Sequence, residues 1–159
     1  MQIRKAEHED LNKIMEIFRN AIKVMNDNNI NQWDDIYPTN TILEQDVLNG
    51  QMYVGIKDGE LVSALVINNE CEEEYKKGNW RYDNNTFAVV HRLCVNPIYQ
   101  NKKIGKDTMI KIEEILKTEN SIYKIRHVFS KSICLKNVSN TWISKGWRSK
   151  VENRIISFT

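Results

Sequence analysis

A short basic turn between an apolar strand and a helix holds the residues best suited to bind a ligand. Residues 86–95 read as the strand, Pro97 follows it, and a helix begins near Gly105. Unpaired N–H groups and the helix dipole attract an anion at a helix N-terminus. Lysines at 102, 103 and 106 add positive charge to the same turn. The pattern predicts a phosphate-binding site.

The charge of the chain is unevenly distributed, although the net charge is only +2. Residues 1–99 contain 10 Lys and Arg against 16 Asp and Glu, whereas residues 100–159 contain 13 against 5. A polyanionic ligand is therefore expected on the second part. A solvated basic surface without a ligand is the alternative. A nucleic-acid-associated domain ranks last, because the chain has no helix-turn-helix, zinc-finger or aromatic RNA-binding signature.

Several other site classes lack their motifs in this chain. A P-loop would need a glycine where Gln100 stands and a serine or threonine where Asp107 stands. There is no GxGxxG for a dinucleotide and no GxSxG nucleophile elbow. The three cysteines are widely spaced and form no Cys/His cluster, so we expect no metal site and idle thiols in a reducing cytoplasm. No apolar run reaches the roughly 20 residues that span a bilayer, and no signal-peptide segment is present.

The hydrophobic periodicity predicts alternating strands and helices in one domain, 1–159. Asp58-Gly59 is a type I′ hairpin signal, and Thr41 with Glu44 fits a capping box for a short helix that Asn49-Gly50 ends. Residues 68–85 form a long polar excursion. The predicted strands are 2–6, 51–57, 61–67, 86–95, 122–129 and one or two within 148–158; the predicted helices are 8–27, 41–49, 104–119 and, weakly, 136–145. This order predicts a mixed α/β (α+β) layer structure.

Gln100-x-x-x-x-Gly105, after a strand that ends Leu93-Cys94-Val95-x-Pro97, resembles motif A of the GNAT superfamily of N-acetyltransferases. Further segments are similar to this family in its opening, in the end of motif B and in a bacterial subgroup. They are Ile3-Arg4-Lys5-Ala6 with Glu9-Asp10-Leu11, Lys145-Gly146-Trp147, and Asn31-Gln32-Trp33 with Tyr37-Pro38, Trp80 and His91-Arg92. The resemblance extends over nearly the whole chain.

The resemblance implies a single GNAT-like domain with a mostly antiparallel central sheet, splayed between two strands and flanked by helices. It also implies acetyl-CoA as co-substrate, with the pyrophosphate cradled by the backbone of the basic turn and the pantetheine arm along the strand before it. The residues expected to bind the coenzyme are Leu93, Cys94, Val95, Gln100, Asn101, Lys102, Lys103, Ile104, Gly105, Lys106 and Asn137. No metal is implied.

The activity implied is transfer of an acetyl group to a primary amine, by direct attack in a ternary complex. His91 is the candidate base, since its ordinary pKa of about 6.5 suits proton transfer near neutrality; a hydrogen-bonded structural histidine is the alternative. The acceptor is a small molecule or peptide amine, among which amino acids, polyamines, antibiotics and protein N-termini stay open. Neither nucleic acid nor membrane is an expected partner, and exposed strand edges make a homodimer an option.

The acceptor pocket is expected to involve large aromatic and polar side chains from the loops. The candidates are Gln32, Trp33, Tyr37, Trp80 and Arg92, with core or lid packing as the alternative role of the aromatics. Strand alternation predicts that Arg92 lies on the face opposite His91. Arg92 would bind a carboxylate of the acceptor or form an ion pair with Asp46 or a glutamate.

Three residues depart from the family pattern. Lys103 stands at the first glycine of motif A, Asp107 replaces a small residue, and Trp142 stands at the place of the motif B tyrosine. These departures motivate an alternative function, a non-catalytic acyl-CoA-binding or interaction module of the same fold.

Overall fold

The computed structural model describes residues 1–30, 33, 37–70, 87–118 and 124–127. A five-stranded sheet with strand order β1-β2-β3-β4-β5 forms its centre. The strands are β1 (Gln2–Lys5), β2 (Met52–Lys57), β3 (Glu60–Asn68), β4 (Phe87–Val95) and β5 (Lys124–His127). The helices are α1 (Leu11–Asp27), α2 (Asn40–Leu48) and α3 (Ile104–Thr118), with 3₁₀ turns at His8–Asp10 and Pro97–Tyr99. In the described part of the chain, no helix combines the length and apolar character of a membrane span.

The strands pair antiparallel from β1 to β4, and β5 then pairs parallel to β4. The parallel pair spans Phe87 to Val90 of β4, so the described part of β5 leaves residues 91–95 of β4 unpaired on that side. This arrangement confirms the mostly antiparallel sheet that the family resemblance implies. The predicted helix 136–145 and the strands within 148–158 lie outside the described residues.

The hairpin between β2 and β3 turns where the sequence predicts it. Asp58 and Gly59 both have positive φ, 54° and 79°, which is the backbone that a type I′ turn requires. The α2 boundary differs from the predicted capping box at Thr41. Thr39 is the N-cap instead, and its Oγ1 accepts from the N–H of Ile42 at 3.2 Å. A threonine two residues earlier thus satisfies the helix end.

Two apolar clusters pack on opposite faces of the sheet. The first joins α1 and α2 to one face, and its fully buried members include Ile14, Leu43, Met52 and Val54. The second cluster packs the apolar side of α3 on the other face, around Leu65, Ile67, Val90 and Ile112. Both helix positions follow from apolar residues at three- and four-residue spacing. The sheet therefore separates the α1/α2 face from the α3 face.

Candidate active site at the end of strand β4

A bulge interrupts β4 three residues before its end. Ala64 of β3 pairs with Cys94 and Val66 pairs with His91, so Leu65 alone faces Arg92 and Leu93. Arg92 has a φ of 49°, which is a left-handed conformation that non-glycine residues rarely adopt in a strand. An extra residue in one strand bends that strand and re-aims its side chains.

The bulge places His91 and Arg92 on the same face of the sheet, so the prediction of opposite faces is wrong. His91 lies directly opposite Val66, a member of the cluster under α1 and α2. Arg92 reaches Asp46 of α2 on that same side. Strict alternation fails because β4 has one extra residue at the bulge, so that two neighbouring side chains turn to the same face. Both side chains therefore belong to the α1/α2 face.

The guanidinium of Arg92 joins two other elements. Its Nη2 donates to Asp46 Oδ1 at 2.7 Å, and its Nη1 donates to Tyr37 Oη at 2.7 Å. The guanidinium carbon also lies 5.9 Å from the centre of the Tyr37 ring. The sequence leaves two roles open for Arg92, and the structure shows one of them, the ion pair with Asp46. The role of Arg92 and Tyr37 in binding the acceptor stays a prediction.

Asp46 is a buried carboxylate, 6% exposed, on the inner face of α2 between Leu43 and Val47. Burial raises the pKa of Asp46, and the charge and hydrogen bond of Arg92 oppose that rise. Among the described residues, Asp46 Oδ2 and Arg92 Nε are buried without a hydrogen-bond partner. Sequence reasoning did not include Asp46 in the site, although a carboxylate among apolar helix positions signals a buried partner.

His91 is half-buried and its Nε2 lies 3.2 Å from the carbonyl oxygen of Glu70. Burial lowers the pKa of His91, and the positive charge of Arg92 lowers it further. The ring is therefore expected to be neutral at pH 7. A carbonyl oxygen only accepts, so Nε2 must donate and the lone pair lies on Nδ1. This geometry leaves Nδ1 as the basic atom of the residue.

The strand that follows the bulge has its side chains packed. Cys94 is buried on the α1 side, with Sγ 3.9 Å from the carbonyl oxygen of Ile17, while Leu93 packs against the cluster under α3. Any contact of residues 93–95 with a ligand beside β4 would thus rely chiefly on backbone groups. Their assignment to the coenzyme stays a prediction.

The basic turn has the backbone of an anion cradle. The Asn96 side chain accepts from the N–H of Ile98 at 3.2 Å and caps the 3₁₀ turn. Asn101 and Lys103 then have φ of 64° and 63°, whereas Ile104 is already helical. Left-handed residues next to right-handed ones turn successive N–H groups toward a common point. We therefore expect the N–H groups of this turn to suit a phosphate.

The N-terminus of α3 adds further donors to this turn. The first helical hydrogen bond runs from the N–H of Asp107 to the carbonyl oxygen of Lys103, at 3.0 Å. The N–H groups of Ile104, Gly105 and Lys106 therefore precede the ladder and have no acceptor within the helix. Lys102 and Lys103 are exposed beside them. Donors and positive charge thus coincide, as the sequence pattern predicts.

Lys103 holds the left-handed position that a glycine would adopt without cost. Gly105, by contrast, lies in α3 and is absent from the glycines with positive φ. Position 105 therefore does not require the backbone freedom of glycine. The two positions of the motif that the family fills with glycine have different physical demands in this chain.

A pair of buried hydroxyl groups fixes the first turn of α3 to the sheet. Ser63 Oγ and Thr108 Oγ1 lie 2.8 Å apart, and Thr108 Oγ1 donates to the Ile104 carbonyl oxygen at 2.9 Å. Both side chains are fully buried. Gly55 makes room for Ser63, because a Cβ on Gly55 would lie 2.3 Å from Ser63 Oγ. Sequence reasoning missed this pair, whose signal is a hydroxyl on the apolar face of α3.

Trp33 is 7% exposed and packs on Phe18, with ring centres 5.1 Å apart. These contacts favour its core-packing role over its predicted place in an acceptor pocket. Gln32, Trp80 and Asn137 lie outside the described residues. In the part of the chain that the structure describes, no three potential metal ligands come together.

The model of the "Acetyltransferase (GNAT) family" matches residues 12–131. No curated protein matches the chain in sequence. A GNAT-family acetyltransferase from Streptococcus agalactiae has a TM-score of 0.71 and 23% identity, over 87% of this chain and 82% of its own. PaiA N-acetyltransferase from Thermoplasma acidophilum, in complex with coenzyme A, has a TM-score of 0.62 and 20% identity, over 97% and 95%.

A GNAT-family acetyltransferase from Brucella melitensis, in complex with acetyl-CoA, has a TM-score of 0.61 and 12% identity, over 99% of this chain and 88% of its own. Identities this low establish similarity of fold, while the family model spans most of the sequence and includes β4, the basic turn and α3. The chain therefore belongs to the GNAT family of acetyltransferases.

Proposed function

We propose that this protein transfers an acetyl group from acetyl-CoA to a primary amine, by direct attack in a ternary complex. The backbone of the basic turn is the observation that carries the proposal. Two left-handed residues precede α3, whose first N–H groups have no acceptor in the helix, and lysines lie beside them; a turn of this kind suits a diphosphate. Two structurally similar proteins hold CoA or acetyl-CoA. In this proposal, residues 1–159 form one domain and the protein acts in the cytoplasm.

The coenzyme side of the proposal follows the strand and the turn. Residues 100–106 would bind the pyrophosphate through main-chain N–H groups, with Lys102 and Lys106 supplying charge. The edge of β4 at residues 93–95 would pair with the pantetheine arm, because the described part of β5 pairs only as far as Val90. A backbone N–H there would also polarise the thioester carbonyl as negative charge develops on its oxygen. Asn137 is proposed as a further coenzyme ligand.

The acceptor side of the proposal lies on the α1/α2 face. His91 Nδ1 takes a proton from the attacking amine, since Nε2 is held by the Glu70 carbonyl. The amine nitrogen then forms a bond to the acetyl carbon as the carbon–sulfur bond breaks. A thiol with an ordinary pKa of about 8.5 leaves without a strong acid, so the substitution at Trp142 does not prevent the reaction. Arg92, Tyr37, Gln32 and Trp80 are the proposed acceptor contacts.

Isothermal titration with acetyl-CoA tests coenzyme binding, and Gly105→Val is the variant to compare. Thermal unfolding is measured alongside, because Gly105 is buried at the start of α3; in the folded variant, the valine side chain blocks close approach of the phosphate. We expect binding to be lost in Gly105→Val and weakened in Gly105→Ala. Absence of wild-type binding at millimolar acetyl-CoA would overturn the proposal, and unchanged binding by Gly105→Val would overturn the assignment of the turn.

Thiol release from acetyl-CoA across a panel of amines and peptides tests the reaction. Turnover that depends on an added amine is the expected result, with His91→Gln much slower than wild type at saturating acetyl-CoA. General-base catalysis contributes typically 10²–10⁴-fold, which sets the expected loss. Tight coenzyme binding without turnover on any acceptor would instead support the non-catalytic module that Lys103 and Asp107 motivate.

A further inference from the structure

A buried ion pair lies directly under the bulge of β4. Arg92 Nη2 donates to Asp46 Oδ1 at 2.7 Å, and the two side chains are 15% and 9% exposed. Asp46 belongs to α2 and Tyr37 to the loop before it, so the guanidinium is held from two points more than 45 positions away in sequence. Nothing on β4 itself supplies either contact. Both contacts of the guanidinium at the bulge thus come from outside the strand.

We propose that Asp46 is a positioning residue for acyl transfer: by holding Arg92 in place it fixes the β4 bulge, which presents His91 to the acceptor and the strand edge to the thioester. The inference rests on the proposed function for its catalytic consequence, but not for its structural one. Asp46 is 6% exposed, which excludes direct contact with a substrate in this structure. Its effect must therefore act through Arg92.

The backbone at Arg92 gives the physical reason for such a support. A left-handed φ of 49° is unfavourable for arginine, and residues in such conformations persist when surrounding contacts over-determine them. The guanidinium is planar, and two of its nitrogens are bound by two different elements. Loss of Asp46 would leave a buried positive charge unpaired, and the relaxed strand would return toward ordinary alternation. Arg92 or His91 would then leave the α1/α2 face.

The same pair sets the charge around His91. The described charged groups near this ring are Arg92 on β4, Asp46 on α2 and Glu70 after β3. Arg92 lowers the pKa of His91, and Asp46 and Glu70 raise it. Removing the Asp46 charge should therefore lower the pKa of His91, whereas removing the Arg92 charge should raise it. The pKa of His91 thus reports the charges around the ring, and hydrogen exchange at residues 91–95 reports the backbone of the bulge.

Asp46→Asn is the test variant, and Asp58→Asn is its matched control. The control makes the same chemical change at an exposed turn whose positive φ asparagine also tolerates. NMR titration of the histidine ring protons, with His91→Gln for assignment, measures the pKa of His91. Amide hydrogen exchange of residues 91–95 reports the bulge. Steady-state kinetics separates kcat from the KM for acetyl-CoA.

We expect Asp46→Asn to lower the pKa of His91, to speed exchange at residues 91–95 and to reduce kcat by roughly tenfold to a hundredfold, as misplacement of reacting groups does. The KM for acetyl-CoA should rise by a smaller factor than kcat falls, because the pyrophosphate is bound by the basic turn, which Asp46 does not contact. Asp46→Glu should restore part of kcat. Asp58→Asn should match wild type in all three measurements.

The double variant Asp46→Asn/Arg92→Gln keeps the test valid if the single variant unfolds, because it leaves no buried charge unpaired. It should fold and still show fast exchange at the bulge and low kcat. A double variant with the kcat of wild type would overturn the inference. So would an Asp46→Asn variant whose hydrogen exchange and His91 pKa both equal those of Asp58→Asn. If wild type turns over no amine, the proposed function fails, whereas exchange and the pKa of His91 still decide the inference.

Discussion

Lys103→Gly tests the backbone geometry of the basic turn with one substitution. Lys103 has a φ of 63°, and a left-handed conformation costs a non-glycine residue about 1–2 kcal/mol. Glycine removes this cost but makes the unfolded chain more flexible, which costs about 0.5–1 kcal/mol. The free energy of unfolding should therefore rise by about 0–1.5 kcal/mol. For a chain of this size that is an increase in Tm of up to about 6 °C.

Lys103→Ala is the control, because it removes the same ammonium group and keeps a Cβ. Alanine is also disfavoured at positive φ, so this variant should be no more stable than wild type. The difference between the glycine and alanine variants then isolates the backbone from the charge. Chemical denaturation at low and high salt measures both free energies of unfolding. Their difference should not depend on salt.

Coenzyme affinity should follow the same order as stability. If converging N–H groups of residues 101–106 bind the pyrophosphate, Lys103→Gly should bind acetyl-CoA up to about tenfold more tightly than Lys103→Ala, since tenfold corresponds to 1.4 kcal/mol. Isothermal titration of the two variants gives the ratio. A glycine variant that is less stable than the alanine variant, or equal affinities in both, would refute the left-handed geometry as the basis of binding.

Three further predictions concern the supports of the site. Thr108→Val leaves the buried Ser63 hydroxyl without its partner, so the free energy of unfolding should fall by about 1–3 kcal/mol and acetyl-CoA should bind more weakly, whereas Thr108→Ser should be close to wild type in both assays. Gly55→Ala places a Cβ 2.3 Å from Ser63 Oγ and should cost about 1–3 kcal/mol in chemical denaturation; an equal cost in a Ser63→Ala background would contradict this. Burial lowers the pKa of His91 in the folded protein. The neutral ring therefore contributes its full stabilisation above the ordinary histidine pKa of about 6.5, and this contribution is lost as the pH falls toward the lower folded pKa. In denaturation measured as a function of pH, the free energy of unfolding of His91→Gln should fall less steeply over this range than that of wild type.

Local sequence patterns predict the elements and the basic turn well, for physical reasons. The apolar spacing of α1 and α3 and the positive-φ residues of the hairpin at Asp58 are properties of a few neighbouring residues. The lysines and the N–H groups at the start of α3 also lie within a few consecutive residues around Gly105, so they too are visible in the local sequence. The structure therefore confirms the helices, the strands and the hairpin within the described residues, with boundary differences such as the cap at Thr39.

The active-site face could not be predicted from alternation, because it depends on pairing between distant segments. The bulge at Arg92 is defined by how β4 pairs with β3, and the side chain of Arg92 is bound by Asp46 on α2. Likewise, Thr108 meets Ser63 across 45 positions. The sequence does contain a weak signal for both contacts, since each places a polar residue on the apolar face of a helix. At Thr108 this signal predicts a buried partner without naming it, whereas Asp46 is one of the ion-pair partners that the sequence suggests for Arg92.

A crystal structure with bound acetyl-CoA tests the central claim most directly, namely that the backbone of residues 101–106 binds the diphosphate. The account predicts pyrophosphate oxygens within about 3.2 Å of main-chain nitrogens at Ile104, Gly105 and Lys106, with the pantetheine arm beside residues 93–95. A coenzyme bound elsewhere, or a turn whose donors are covered by the side chains of Lys103 and Asp107, would contradict it.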